Sequence, residues 1–443
     1  MKNPHVCTRC GSRAARWEGR CAGCGEWNTL VASTSRSAGA SVSVTRLADV
    51  DVSGFALGPT GLGEFDRVLG GGLARGSSTL LFGEPGVGKS TLALMVLLGR
   101  CARGDRGLLV AAEESLAQVA RRARRLGAVP AGLDVVALSD LAGAAEMVRA
   151  RRPDVVVVDS LSAMSDANLT GTPGSVAQLR HGAERLSQAA REVASALVLV
   201  GHVTKDGDLA GPRALEHLVD TVVRIEGDRQ GPLRILRAVK HRFGPTGEVG
   251  LLEMLGDGLV EMAEPVLRAG DATSGVVAGV TSDGARNLVV EVQALVVGSV
   301  GAPRRVAHQV SSQRLALLLA VLEARCGVVC SGSDVFVATA GGLPATDPGI
   351  DAALALAVAS ASLGVPVRRD VLALGEVGLA GELRAVPALE RRVHEAARRG
   401  AATILVPTEG DVEAPEGAQL VRVGTLGEAI AALTSQNSAL LVH

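Results

Sequence analysis

Three groups of residues in this chain have types and spacings that could do chemistry. Gly83-Glu84-Pro85-Gly86-Val87-Gly88-Lys89-Ser90 fits the pattern GxxxxGK[ST], and Thr91 follows it. Glycines there let successive backbone N–H groups turn toward phosphate oxygens, and a helix opening at that point adds the positive end of its dipole. Lys89 is placed for the β and γ phosphates of ATP and Ser90 for Mg²⁺. With no nucleotide bound, Lys89 is expected to face solvent. Asp159 ends the apolar run Val155–Val158, where a carboxylate can hold Mg²⁺ or its water shell. Glu113 and Glu114 follow the apolar run Gly107–Ala112. A carboxylate at the end of the strand beside a phosphate loop can orient and deprotonate an attacking water. Glu113 is the choice and Glu114 the alternative; both could instead cap the next helix.

The second group is Cys7-x2-Cys10 and Cys21-x2-Cys24, separated by ten residues. Each pair can place two thiolates on one turn, and two such turns complete a tetrahedral zinc site. With all four positions filled by Cys, the site is closed and structural. In so small a module the metal supplies much of the folding energy. Two disulfides are the alternative, which a cytoplasmic setting disfavours. Arg13, Arg16 and Arg20 lie between the knuckles and either face DNA or form a solvated loop. The third group is the remaining basic side chains: Lys occurs only at positions 2, 89, 205 and 240, against 41 Arg.

These side chains need elements to hold them. The chain has 443 residues, enough for two or three domains, and is 47% hydrophobic and 21% charged, which excludes a disordered chain. From about residue 60 to 262, apolar runs alternate with helical segments. Expected strands are Ser78–Phe82, Gly107–Ala112, Asp134–Leu138, Asp154–Asp159, Ala196–Gly201 and Thr221–Ile225, with helices near 89–101, 114–126, 139–152 and 175–195. This pattern implies an α/β fold with a mostly parallel sheet covered on both faces. We divide the chain into a zinc module (1–30), a linker (31–50), an ATPase domain (51–268) and a second αβ domain (269–443). Mean hydropathy is +0.29. The longest charge-free apolar stretch, Ala352–Val367, is nevertheless too short to span a bilayer. The first residues lack the apolar core of a signal peptide, so a cytoplasmic protein is expected. Net charge is −1, so any DNA contact must come from local basic patches. With no Tyr and two Trp, a base-stacking surface is not expected.

Phe65-Asp66-Arg67-Val68-Leu69-Gly70-Gly71-Gly72-Leu73 resembles the entry motif of RecA-superfamily ATPases. Lys240-His241-Arg242-Phe243-Gly244 resembles the KNRFG motif of the bacterial RadA (Sms) family, with His for Asn. The four-Cys start and Gly201-His202-Val203-Thr204-Lys205-Asp206-Gly207 resemble the same family. The resemblance implies a DNA-dependent ATPase that assembles as a hexameric ring and drives branch migration of recombination intermediates alongside the RecA recombinase. It further implies that His202 senses the γ-phosphate. The segments Met164–Val176 and Val203–Arg213 would be the central DNA loops, with Lys205 and Arg213 as cations of the second. Lys240 and Arg242 would act on the ATP of a neighbouring subunit. Spaced i, i+2 on a strand, they share a face and repel unless an anion lies between them.

Residues 269–443 resemble the peptidase domain of Lon proteases. Asp351 stands at the apparent nucleophile position and Glu390 where the Lys base is expected. No Lys follows residue 240, so a Ser–Lys dyad cannot form. The domain is expected to be a non-hydrolytic scaffold, with Arg304, Arg305 and Arg314 as candidate DNA contacts. A replicative-type hexameric helicase and an ATP-dependent protease are the rival readings.

Overall fold

The computed structural model describes residues 5–32, 46–49, 56–202, 212–227, 231–263, 266–267, 270 and 272–438. The chain forms two compact units, Met1–Gly54 and Phe55–His443. The first carries a three-stranded antiparallel sheet in the order Arg13–Ala14, His5–Cys7, Leu30–Ala32. Among the described residues its buried core is Cys7, Cys21 and Leu30. Apolar burial on that scale cannot offset the entropy of ordering the loops, so the cross-link at the cysteines must.

The second unit begins with an α/β half. Its strands are β1 (Ser78–Gly83), β2 (Gly107–Ala111), β3 (Leu133–Ala137), β4 (Val155–Asp159), β5 (Ala196–His202), β6 (Thr221–Glu226), β7 (Leu233–His241), β8 (Val249–Leu255) and β9 (Gly258–Glu261). They form one sheet in the order β9-β8-β7-β6-β1-β5-β4-β2-β3. The strands from β6 to β3 in that order are parallel; β7, β8 and β9 continue antiparallel. Helices α1 (Lys89–Ala102), α2 (Leu116–Leu126), α3 (Leu141–Arg151) and α4 (Val176–Glu192) connect the parallel strands. Alternation along each strand explains why both faces are covered. Val155 and Val157 pack with Leu92, Val96 and Leu97 of α1, whereas Val156 and Val158 pack with Leu141, Val148 and Leu186 of α3 and α4.

The second half holds β10 (Val276–Asp283), β11 (Arg286–Gly298), β12 (Arg305–His308), α5 (Ser312–Cys326), β13 (Ser333–Thr339), α6 (Asp351–Leu363), β14 (Val371–Ala373), α7 (Leu389–Arg398), β15 (Thr403–Pro407), β16 (Gln419–Val423) and α8 (Leu426–Ser438). Its mixed sheet runs β12-β13-β11-β10-β14-β15-β16. The charge-free stretch Ala352–Val367 is mostly α6, whose residues 351–360 are all buried. It is a core helix, as its length requires. The expected boundary near residue 268 is not a break in packing. Ile235, Val249, Leu251 and Met262 share one apolar core with Val277, Leu288 and Val290. Among the described residues, Glu64 pairs with Arg286 and Arg237 with Asp283 across the same seam.

Candidate active site and metal centre

The phosphate loop lies between β1 and α1. Gly88 is the helix N-cap at φ +113°, and Gly86 is at φ +82°; a side chain at either would be strained. Lys89 departs from its expected exposure. It is 4% exposed and donates to the carbonyls of Gly83 (2.9 Å) and Glu84 (2.8 Å). Burial lowers its pKa, and the Asp159 and Glu113 carboxylates oppose that shift. The ammonium is folded back onto the backbone of its own loop. Ser90 and Thr91 form the first turn of α1 with Lys89.

Asp159 ends β4 beside this turn. Burial raises its pKa, and a hydrogen bond from Ser90 counters the rise. A hydroxyl and a carboxylate brought together in this way suit Mg²⁺, whose charge would keep the carboxylate ionised. Ser90 and Asp159 would hold Mg²⁺, which would supply charge neutralisation, and the backbone of Gly83, Glu84, Pro85, Gly86, Val87 and Gly88 would hold the phosphates of ATP.

The two adjacent glutamates separate. Glu114 is an ion-pair partner of Arg122 on α2. Glu113 accepts a hydrogen bond from Ser160, and its Oε1 lies 3.7 Å from His202 Nε2. Neither caps α2; Ser115 does, in a reciprocal capping box with Gln118. His202, at the end of β5, has a lowered pKa through burial and the Lys89 charge. Ser160 and Ser162, bonded to each other at 2.6 Å, belong to this cluster, and the sequence gives no sign of it. Their relation to Glu113 depends on β4 lying beside β2, which no local pattern announces. Arg234 on β7 is equally hidden in the sequence; it is 5% exposed and donates to Val87 O at 2.9 Å, bracing the phosphate loop.

Lys240 and Arg242 lie at the opposite end of the sheet. His241 pairs with Thr221, which pairs with Thr79. Thr79 precedes Gly83 by four residues, about 13 Å along the strand. The expected mutual repulsion is not the observed situation, because each cation has its own acceptors. Lys240 Nζ donates to Glu216 O (2.6 Å) and Val219 O (2.8 Å). Arg242 pairs with Asp220 at 2.8 Å while its side chain stays 60% exposed. Asp220 in turn accepts from Ser78 N and Oγ, both at 2.9 Å, so the Arg242 anchor is fixed to the root of β1.

The first central loop, Met164–Val176, is tied down by Asp166, which accepts from Asn168, His181 (3.1 Å) and Arg185 (2.7 Å). In the second loop, residues 203–211, including Lys205, lie outside the described residues; Arg213 falls within the short helix Pro212–Leu215. Arg304 and Arg305 are exposed at the edge strand β12, though Arg304 pairs with Asp334 at 2.5 Å. Arg314 is only partly exposed and is already paired with a carboxylate. Its guanidinium forks onto Asp351, whose side chain is fully buried, with Nε to Oδ1 at 2.7 Å. Val377 N also donates to Asp351, at 3.2 Å. Glu390 is exposed on α7. The inward residue is Arg392, 1% exposed, which forks onto Asp347 at 2.6 and 2.9 Å.

In the amino-terminal unit, the Sγ atoms of Cys7, Cys10, Cys21 and Cys24 all lie within 4.8 Å of one another, with Cys7–Cys24 and Cys10–Cys21 at 3.6 Å. Zn–S bonds of about 2.3 Å place tetrahedral sulfurs about 3.8 Å apart, so four thiolates here fit Zn²⁺. No disulfide joins them.

Three stretches of the chain match known families. Residues 5–32 match the rubredoxin metal binding domain, 46–208 the AAA domain, and 315–410 subunit ChlI of Mg-chelatase. The chain is 42% identical to the DNA repair protein RadA of Pseudomonas aeruginosa, covering 98% of this chain and 99% of that one. It is 41% identical to RadA of Escherichia coli K12 and 39% identical to RadA of Bacillus subtilis 168, each over 97% of this chain and 98% of the relative. The chain belongs to the RadA family. It is an α/β protein with a four-Cys zinc knuckle, a RecA-like P-loop core and a Lon-like carboxy-terminal domain, and an ATP hydrolase that uses ATP, Mg²⁺ and Zn²⁺. Among the described residues no helix is long and apolar enough to cross a membrane.

Proposed function

We propose that this RadA-family chain is a DNA-dependent ATPase of recombination and repair in the cytoplasm. It works as a homohexameric ring that binds single-stranded and branched DNA and promotes branch migration with the RecA recombinase. Glu113 activates the attacking water, His202 senses the γ-phosphate, and the loops carrying Lys205 and Arg213 face DNA, with Arg304 and Arg305 as outer contacts. The Lon-like domain is a scaffold and not a peptidase: Asp351 and Asp347 are each occupied by an arginine fork, and no Lys follows residue 240.

One observation carries the ring. Lys240 and Arg242 are held at the end of the sheet away from their own phosphate loop, about 10 Å or more along the strands. A nucleotide phosphate they serve therefore belongs to another subunit, the alternative being a phosphate of DNA. Arg242 keeps an exposed guanidinium on a fixed anchor, the form of a finger supplied in trans, which can contribute about 10³ in rate or more. Mixing tests this. Lys89→Ala subunits carry dead pockets and live fingers; Arg242→Ala subunits carry the reverse. Each alone should be inactive, and mixed rings confirmed by mass should recover part of the ATPase rate. Normal hydrolysis by Arg242→Ala alone, with no recovery on mixing, overturns the trans role.

A further inference from the structure

We propose that Ser162 and Ser160 form a hydroxyl relay that positions Glu113 and couples it to the first central loop. The inference rests on the reading of Glu113 as the water-activating carboxylate. Ser160 is fully buried between β4 and that loop, and its Oγ donates to Glu113 Oε1. A hydroxyl has one proton to give. With that proton committed to Glu113, the 2.6 Å bond between Ser160 and Ser162 must run from Ser162 to Ser160. The chain of donors is therefore directional: Ser162 to Ser160 to Glu113.

Ser162 stands in the single turn Leu161–Ala163, which leads directly into Met164 and the loop. Its carbonyl oxygen faces Gly174 at the far end of the same loop, 3.4 Å from where a Cβ would stand. A shift of the loop must carry that turn with it, because Met164 is buried and Gln178 grips the backbone of Asp166 just beyond it. Moving Ser162 releases the Ser160 hydroxyl to rotate, and Glu113 loses the donor that fixes its orientation. His202 approaches the same carboxylate from the start of the second loop. Glu113 thus has one neighbour at the root of each loop, and Ser162 is the polar link to the first. Ser160 and Ser162 are positioning residues: neither needs to touch ATP.

The test uses the full-length protein, with ATPase rates at saturating ATP with and without a single-stranded oligo-dT, and affinity for a fluorescent ATP analogue. Ser162→Ala should lower the DNA-stimulated kcat by about tenfold, the rate equivalent of one hydrogen bond in the transition state. KM and analogue affinity should stay within about twofold. Ser162→Thr, which keeps the hydroxyl, should restore the rate. Ser160→Ala should lower kcat with or without DNA; Ser162 is half-buried, so its variants carry the test if Ser160→Ala fails to fold. A wild-type kcat in Ser162→Ala, or a threonine variant as slow as alanine, overturns the relay. Glu113→Gln separates the two readings. If it is inactive while Ser162→Ala is normal, only the relay fails; if it hydrolyses ATP normally, the assignment of Glu113 fails and the relay with it. A wild-type protein without DNA stimulation overturns the coupling to the loop.

Discussion

Asp166 shows how one side chain can set the shape of a loop and how pH reaches it. The Asn168 backbone N–H, His181 and the Asn168 side chain hold its pKa down at about 2, with the Arg185 charge adding to them. A carboxylate depressed below its unfolded value near 4 contributes in full above that value and loses its contribution as pH falls through about 2. At neutral pH the loop is therefore fully held. We expect amide exchange at Asn168 and Leu169, both bonded to Asp166, to stay slow down to about pH 4 and to rise between there and pH 2. Asp166→Ala should show the fast exchange already at pH 7. Wild-type protection in that variant at pH 7 sinks the idea. Lys89 makes the complementary point: the motif places it at the start of α1, but the folded-back ammonium depends on the two loop carbonyls, which spacing alone does not position.

Among elements, the zinc module depends most plainly on a single interaction. Among the described residues its core is Cys7, Cys21 and Leu30, and its two Trp are left outside: Trp17 is 57% exposed and Trp27 67%. They are the only Trp in the chain, so intrinsic Trp emission reports this module alone. Stripping the metal with a strong chelator should lower the anisotropy of that emission, while the helical circular dichroism of residues 55–443 stays unchanged. One zinc per chain is expected, and Cys24→Ser should lose it; a full equivalent retained in that variant contradicts the four-Cys site. Elements of this kind were legible because their signals are local. The run Val155–Val158 read as a buried strand, and β4 is that strand. Helix α1 begins at the Lys89 that the motif marked. What was not legible depends on facing. Glu390 and Arg392 are two residues apart on a helix, about 200° around it, so choosing the inward one requires knowing which face meets the sheet. Arg314 and Asp351 are 37 residues apart, and their pairing needs α5 against α6.

At the scale of the whole molecule, the ATPase half and the Lon-like half are joined by more than a linker. Glu64 is 8% exposed and Arg286 7%, and Glu64 also accepts from Leu251 N at 2.7 Å. Glu64 sits in the short helix Gly63–Val68 of the entry motif; Arg286 opens β11. Beside them, Arg237 forks onto Asp283 from β7, the strand that ends at Lys240 and His241. The Lon-like half thus braces the strand proposed to carry the finger. Removing one member of a buried ion pair leaves the other charge without compensation, at a cost of about 3–5 kcal/mol. Arg286→Ala should lower the denaturation midpoint accordingly, and adding Glu64→Ala should recover part of the loss rather than double it. Truncation near residue 270 should be harsher than either. It strips Arg286 from Glu64 and also uncovers Ile235, Val249, Leu251 and Met262, so the shortened chain should aggregate or melt well below the full protein. A 1–269 fragment with the full-length midpoint and normal ATP turnover would show that the seam contributes nothing to the motor half.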